Sequence, residues 1–287
     1  PNCAIPYVSR VDAGTIELVR ALGVDVVSSG DLIQQFEARW NHTQLATHRA
    51  ASEKLYRIKD QAYAEITRRL RAGIPTTEYD IQQQMVGWFK DEGLVADSAP
   101  CVSAQENAGN PHYLASASSH RAIHPNELVL LDLWGKLATP GAVYADITWM
   151  GFTGATVPEK FARAFAAIAA ARDAAVTTVQ SAASAGKEVR GFEADAAARK
   201  VLIEAGYEDG IMHRTGHSLG ENVHGNGAHL DDYETHDERR LIPGSGFTIE
   251  PGLYYPDFGV RTEINMVWTA QGPEVTGPRQ NAILSLL

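Results

Sequence analysis

An α+β fold of two related halves, each a pair of helices followed by a strand hairpin, is what the 287-residue sequence predicts. Three observations carry this expectation: the order of hydrophobic periods, a weak internal repeat, and four acidic residues that interrupt apolar strands in two matching hairpins.

Residues 1–35 alternate short apolar runs (Ile5-Pro6, Val24 to Val27) with the turn residues Ser28-Ser29-Gly30, and Thr15 to Leu22 predicts one short helix in what reads as an edge piece. From His42 to Leu70 the apolar residues Ala50, Leu55, Ile58, Ala62, Ile66 and Leu70 recur at helical steps until Gly73 stops them. Thr76-Thr77 can cap a second helix running through Trp88 to Gly93. Asn126 to Leu133 and Val143 to Phe152 are β-rich and joined through Pro140-Gly141, which predicts a hairpin. An alanine-rich helix over 158–183, another over 190–205 and a second hairpin follow.

Sliding the chain by 113 positions aligns Ala72-Gly73 with Ala185-Gly186, Tyr79 with Phe192, Asp80 with Glu193 and Gly93 with Gly206. Few identities survive the shift, so the repeated order of elements is its stronger part.

Composition narrows the function classes. A net charge of −10 with no basic run argues against nucleic acid or an anionic membrane surface as partner. The apolar stretch from Phe161 to Ala171 is broken by Arg163 and bounded by Arg172, too short to span a bilayer. With only Cys3 and Cys101 there is neither a disulfide framework nor a CxxC pair, and a cytoplasmic location is expected. The chain opens at Pro1 without a signal-peptide pattern, and we expect a processed protein or a piece of a longer one.

The first hairpin carries Asp132 in Leu130-Leu131-Asp132-Leu133 and Asp146 in Ala145-Asp146-Ile147; the second carries Glu250 in Ile249-Glu250-Pro251 and Glu263 in Thr262-Glu263-Ile264, joined by a turn through Pro256-Asp257-Phe258-Gly259. Carboxylates taken out of water are costly unless paired or metal-bound, so four of them in core strands point to shared cations. A further ligand is expected from Met212 to Gly220, which holds His213 and His217 and is followed by His224. The glutamate of an HExxH helix is absent there, and Gly216 and Gly220 favour extended chain.

These residues resemble the pita-bread metallopeptidases, the group of methionine aminopeptidase, aminopeptidase P and prolidase, over about residues 46–270. The resemblance implies the pita-bread (creatinase/aminopeptidase) fold, two pseudo-symmetric halves around a curved, mainly antiparallel sheet. It places Asp132, Asp146, His217, Glu250 and Glu263 on the family's five metal ligands, with Asp146 and Glu263 bridging. His213 four before His217, Arg261 two before Glu263, and Asn110-Pro111-His112 resemble the proline-specific branch. Residues 1–45 resemble the tail and linker of a preceding creatinase-like domain, leaving 46–287 as the catalytic domain. One departure is a longer first hairpin, from Trp134 to Gly141, expected to be loop and to bear on substrate preference.

The resemblance therefore implies an exopeptidase holding two divalent ions, with manganese favoured and cobalt, zinc or iron compatible with the same ligands. A hydroxide bridging the two ions would attack the bond before proline, with Glu250 as proton shuttle. His112 and His224 are candidates to stabilise the oxyanion, His213 to line the substrate pocket, and Arg261 to order a neighbouring acid. The expected partner is a small peptide with proline second, and a homodimer is compatible with the sequence. The alternatives are a same-fold hydrolase of a nonpeptide amide and a noncatalytic metal-binding module. Any one of the five ligands alone would read as a buried ion pair or core histidine. His42, His48, His120, His229 and His236 are expected at ordinary surface or loop positions, and Asp231-Asp232 to Glu238 as a solvated loop.

Overall fold

A computed structural model describes Ile5 and residues 10–287, so Pro6 of the first apolar run and Cys3 lie outside the described residues. Helices α1 (Ala13–Ala21), α2 (Gly30–Glu37), α3 (His42–Arg71) and α4 (Glu78–Asp91) lead into strands β1 (Leu94–Val95), β2 (Cys101–Ala104), β3 (Leu128–Leu137) and β4 (Ala145–Phe152). The order then recurs with α5 (Glu159–Ser184) and α6 (Gly191–Glu204) before β5 (Ser218–Leu219), β6 (Gly246–Ile249), β7 (Gly252–Tyr255), β8 (Phe258–Arg261), β9 (Ile264–Thr269) and β10 (Gly272–Thr276). A short β11 (Leu284–Ser285) returns to pair with β4, the one parallel pairing among these strands.

Local chemistry explains the repeat. Gly73 and Gly186 end α3 and α5 at φ of +65° and +64°, and Gly93 and Gly206 follow α4 and α6 at +68° and +80°, a backbone region open to glycine. At the start of α4 the Thr77 N–H donates to Asp80 Oδ2 at 2.9 Å, and at the start of α6 the Arg190 N–H donates to Glu193 Oε2 at 2.7 Å.

Strands β3 and β4 pair antiparallel, with Asp132 opposite Thr148 and Trp134 opposite Asp146. Their alternate residues serve two cores. Val129, Leu131, Leu133, Ala145, Ile147 and Trp149 pack with Leu55, Ile58 and Ile66 of α3. On the other face Leu128, Leu130, Met150 and Phe152 pack with Phe165 and Ile168 of α5. Asp132, Trp134, Asp146 and Thr148 share this second face, towards the hairpin end, where the apolar core gives way to a cavity.

Three expectations need correction. Trp134 to Leu137 are strand, because β1 gives this stretch a second partner (Leu94 opposite Leu137, Val95 opposite Lys136). The second hairpin is two short ladders, β6 with β9 and β7 with β8, interrupted at Glu250-Pro251 and at Thr262-Glu263. Proline has no N–H to offer a ladder, and the Glu263 N–H donates instead to the Thr148 carbonyl at 3.2 Å, tying the two halves together. Helix α2 starts at Gly30, in the Ser28-Ser29-Gly30 stretch expected to be turn, and continues where no helix is expected; buried Gln34 anchors it, donating to the Arg240 carbonyl at 3.2 Å and accepting from the Ala228 N–H at 2.9 Å.

The surface and loop assignments also change in part. His48 is fully buried, with Nδ1 2.8 Å from the Tyr144 carbonyl and Nε2 2.8 Å from Thr276 Oγ1. His229 is buried, its Nδ1 accepting from the Ser218 N–H. Asp231 and Asp237 are buried too; Asp231 accepts the N–H groups of Tyr233, Glu234 and Thr235 and so builds the turn that was expected to be solvated. No helix among the described residues is long and apolar enough to cross a membrane.

Burial lowers the His48 pKa from 6.5 to about 4, so the unfolded chain binds that proton more tightly. Stability present at neutral pH is then lost as pH falls from about 6.5 towards 4, by up to about 3 kcal/mol. We expect His48→Asn to lower stability at pH 7 yet flatten its decline across that window, as read by urea unfolding at stepped pH.

Candidate active site

The cavity, of about 570 Å³, opens where the two hairpins meet, and all nine sequence-predicted site residues line it. Asp146, His217 and Glu263 form its buried floor, each offering one ligand atom within 4.8 Å of the others. Asp132 and Glu250 lie outside that tight set. Asp132 is held by the Arg261 guanidinium, and Glu250 Oε1 lies 3.3 Å from His217 Nε2.

Backbone pairing places each group. The His217 N–H donates to Thr248 Oγ1 at 2.9 Å and its carbonyl accepts from the Thr248 N–H at 2.8 Å, while the Glu250 N–H donates to the Thr215 carbonyl at 2.7 Å. His217 Nδ1 lies 3.1 Å from the Ser218 carbonyl, which can only accept, so Nδ1 carries the proton. Burial disfavours a charged ring, and the Nε2 lone pair is left towards Asp146 Oδ2 at 3.5 Å and Glu250.

Arg261 also donates to Thr148 Oγ1 and to Tyr254 Oη, each at 3.0 Å, and His213 Nε2 lies 2.7 Å from the same phenol. His224 stands at the mouth, its ring edge-on to His217 with centroids 4.4 Å apart, and His112 is exposed on the facing loop. That loop is organised by buried Glu78, which accepts from Asn107 Nδ2, Tyr113 Oη and the Arg121 N–H.

The profile of metallopeptidase family M24 matches residues 50–270. The chain belongs to this family. Among its relatives, the Xaa-Pro dipeptidase of Lactobacillus helveticus is 32% identical over 71% of this chain and 51% of its own. The probable dipeptidase PepE of Mycobacterium bovis is 27% identical over 90% of this chain and 63% of its own. The chain thus spans less than two thirds of the length of these curated relatives. The crystal structure of dipeptidase PepE from Mycobacterium ulcerans superposes with a TM-score of 0.75 at 26% identity, covering 97% of this chain and 70% of that one. The architecture is the pita-bread fold of this M24 group.

Divalent metal is the family's implied cofactor, and the floor of the cavity fits it. Asp146 Oδ1 and Glu263 Oε1 are buried without a hydrogen-bond partner among the described residues. Burial, then the Asp132 and Glu250 charges, push the Asp146 carboxyl well above the usual range, and burial with the Asp146 charge does the same to Glu263. Burial also raises Asp132, with Arg261 opposing. Glu250 differs, because the fields of His217, His213, Arg261 and Arg214 outweigh its burial and hold it below its ordinary value. Carboxylates crowded this way need positive charge in their midst if all are to ionise.

Sequence reasoning did not single out Thr148, Tyr254 or Arg214. Thr148 was within reach, since it stands two residues beyond Asp146 on the same strand face. Tyr254 meets Arg261 and His213 only through the β7–β8 pairing and the chain crossing, which no local pattern announces.

The unpartnered Glu263 oxygen yields a prediction with opposite signs in two conditions. In chelator-treated protein, Glu263→Gln should raise stability by about 1–2 kcal/mol, because the cost of either burying that charge or protonating the carboxyl among its acidic neighbours is removed. The same variant should lose most of the rise in melting temperature that manganese gives the wild type.

Proposed function

We propose that this chain is the catalytic part, residues 46–287, of an exopeptidase that hydrolyses the bond before proline in small peptides. Residues 1–45 would link it to a preceding domain. The observation that carries the reading is the pair of unpartnered buried carboxylate oxygens on Asp146 and Glu263 beside the free Nε2 of His217. The M24 relationship and the Xaa-Pro dipeptidase among the relatives support the substrate class.

Two divalent cations, manganese favoured, would be held by Asp132, Asp146, His217, Glu250 and Glu263. When bound they supply Lewis acidity, making water a nucleophile near neutral pH and polarising the scissile carbonyl.

The chain's own residues do the rest. Glu250, kept below its ordinary pKa by neighbours that include the Arg261 and Arg214 guanidiniums, takes a proton on a carboxylate oxygen and returns it to the proline nitrogen as the bond breaks. His224 and His112, both at the mouth, donate to the carbonyl oxygen as negative charge gathers there. Arg261 keeps the Asp132 carboxylate and the Tyr254 phenol in place, and His213 fixes the other side of that phenol. The scarcity of cysteine supports a cytoplasmic setting.

Metal-stripped protein restored with manganese, cobalt or zinc should cleave Xaa-Pro peptides, and Glu250→Gln should lower turnover by about 10²–10⁴-fold. His224→Ala should lower turnover about 10²-fold with metal content unchanged. Loss of metal from that variant would remove His224 from the oxyanion role, and an absence of metal binding by the wild type would end the peptidase reading.

A further inference from the structure

Six acids line the cavity, and one of them has no task in the chemistry above. Asp132, Asp146, Glu250 and Glu263 belong to the candidate ligand set, and Glu234 faces Arg214, its Oε2 3.4 Å from Nη1. Asp97 is the remainder. It is exposed on the connection between β1 and β2, and its Oδ1 accepts from the Trp134 indole N–H at 2.6 Å. Among the described residues no lysine, arginine or histidine pairs with this carboxylate, and its second oxygen is unclaimed. Lys136, two residues beyond Trp134 on β3, is spent elsewhere: it donates to the Glu221 carbonyl at 2.6 Å, with its ammonium over the Tyr144 ring.

Trp134 ties this acid to the site. The stretch that begins there was expected to be loop and to bear on substrate preference; as part of β3, Trp134 instead shares a face with Asp132, about 7 Å along the strand, and stands opposite Asp146 on β4. Its indole is half-buried in the cavity wall, and among the described residues no ring or cation stacks on it. An indole that fixes a carboxylate through its N–H still offers its electron-rich face, and the carboxylate still offers an oxygen. Both attract one kind of group, a cation.

The direction of the reaction decides which part of a substrate meets this corner. Glu250 returns its proton to the proline nitrogen, so the proline side of the bond lies towards Glu250, on the wall that also carries His213 and Arg214. The residue before proline then lies on the other side of the ligand cluster, towards Asp132 and Trp134. A side chain leaving that residue must cover about 7 Å, two residues of strand, to pass Asp132 and meet the indole. Lysine and arginine have stems of that reach, and these can lie along apolar surface while the charged head stays at the mouth. An acidic side chain there would be repelled by Asp97.

We propose that Trp134 and Asp97 form a subsite for a positively charged side chain, so that this site favours substrates with lysine or arginine before proline. The proposal rests on the peptidase reading above and deepens it by naming the residue accepted ahead of the bond.

The test compares Lys-Pro with norleucyl-Pro, which has the same stem without the ammonium, on manganese-loaded wild type, Asp97→Asn and Trp134→Phe. The wild type should favour Lys-Pro by about tenfold in kcat/KM, and the preference should shrink as salt is raised. Asp97→Asn should bring the ratio close to one by raising KM for Lys-Pro while leaving norleucyl-Pro within about twofold; Trp134→Phe, which keeps a ring face but releases the carboxylate, should keep part of the preference. A wild-type ratio near one, or an equal loss on both substrates in Asp97→Asn, would overturn the proposal and reduce the Asp97–Trp134 bond to a pin for the β1–β2 connection. Calorimetric titration of the manganese-loaded protein with lysinamide and norleucinamide separates this from failure of the peptidase reading. A lysinamide preference that Asp97→Asn erases, with no peptide cleaved, would retain the subsite and discard the peptidase; cleavage without any such preference would do the reverse.

Discussion

Negative charge gathered where water is scarce is the constraint around which the rest of this structure is arranged. Asp132, Asp146, Glu250 and Glu263 converge on one cavity, and only Asp132 is matched by a close arginine. Such a cluster is unfavourable unless the protein anchors each group and something cationic completes it. The anchoring is visible in backbone terms: the N–H groups of Glu250 and Glu263 are spent on Thr215 and Thr148, and Asn265 clasps the main chain of Asp146 from both sides. His217 is held in the one neutral form that turns a lone pair towards the acids.

The doubled architecture supplies these groups from two directions. Each half lays a hairpin against its own helix pair, and the hairpins meet edge to edge at Thr148 and Glu263. Neither half holds the cluster alone, since Asp132 and Asp146 come from the first and His217, Glu250 and Glu263 from the second. The loop bearing His112 is a third contribution, held against β2 and the start of α4 by Glu78, whose carboxylate also accepts from the Ala104 N–H.

Much of this could be read from the chain because its causes are local. The capping residues Thr77 and Asp80, the stop glycines Gly73 and Gly186, and the helical spacing of α3 act within a few residues of themselves. The acids were conspicuous because ionised groups inside apolar strands need a reason. What escaped depends on partners far along the chain. Helix α2 is settled by Gln34 reaching Ala228 and Arg240, the extension of β3 by β1, and the burial of His48 by Tyr144 and Thr276. Arg214 carried no signal of its own, since an arginine three residues before a histidine is unremarkable until the cavity around it is seen.

Strand β3 serves two masters. Its odd-numbered residues belong to the apolar core under α3 and α4, and its even-numbered residues run from the other core into the cavity. A slip of β3 by a single residue against its neighbours would therefore drive Asp132 into a hydrocarbon interior and leave Leu131 and Leu133 facing the acids. Both faces penalise the same error, so the alignment that brings the acids together is also the one the two cores enforce, and mispaired forms of this hairpin have no dry place to hide a charge.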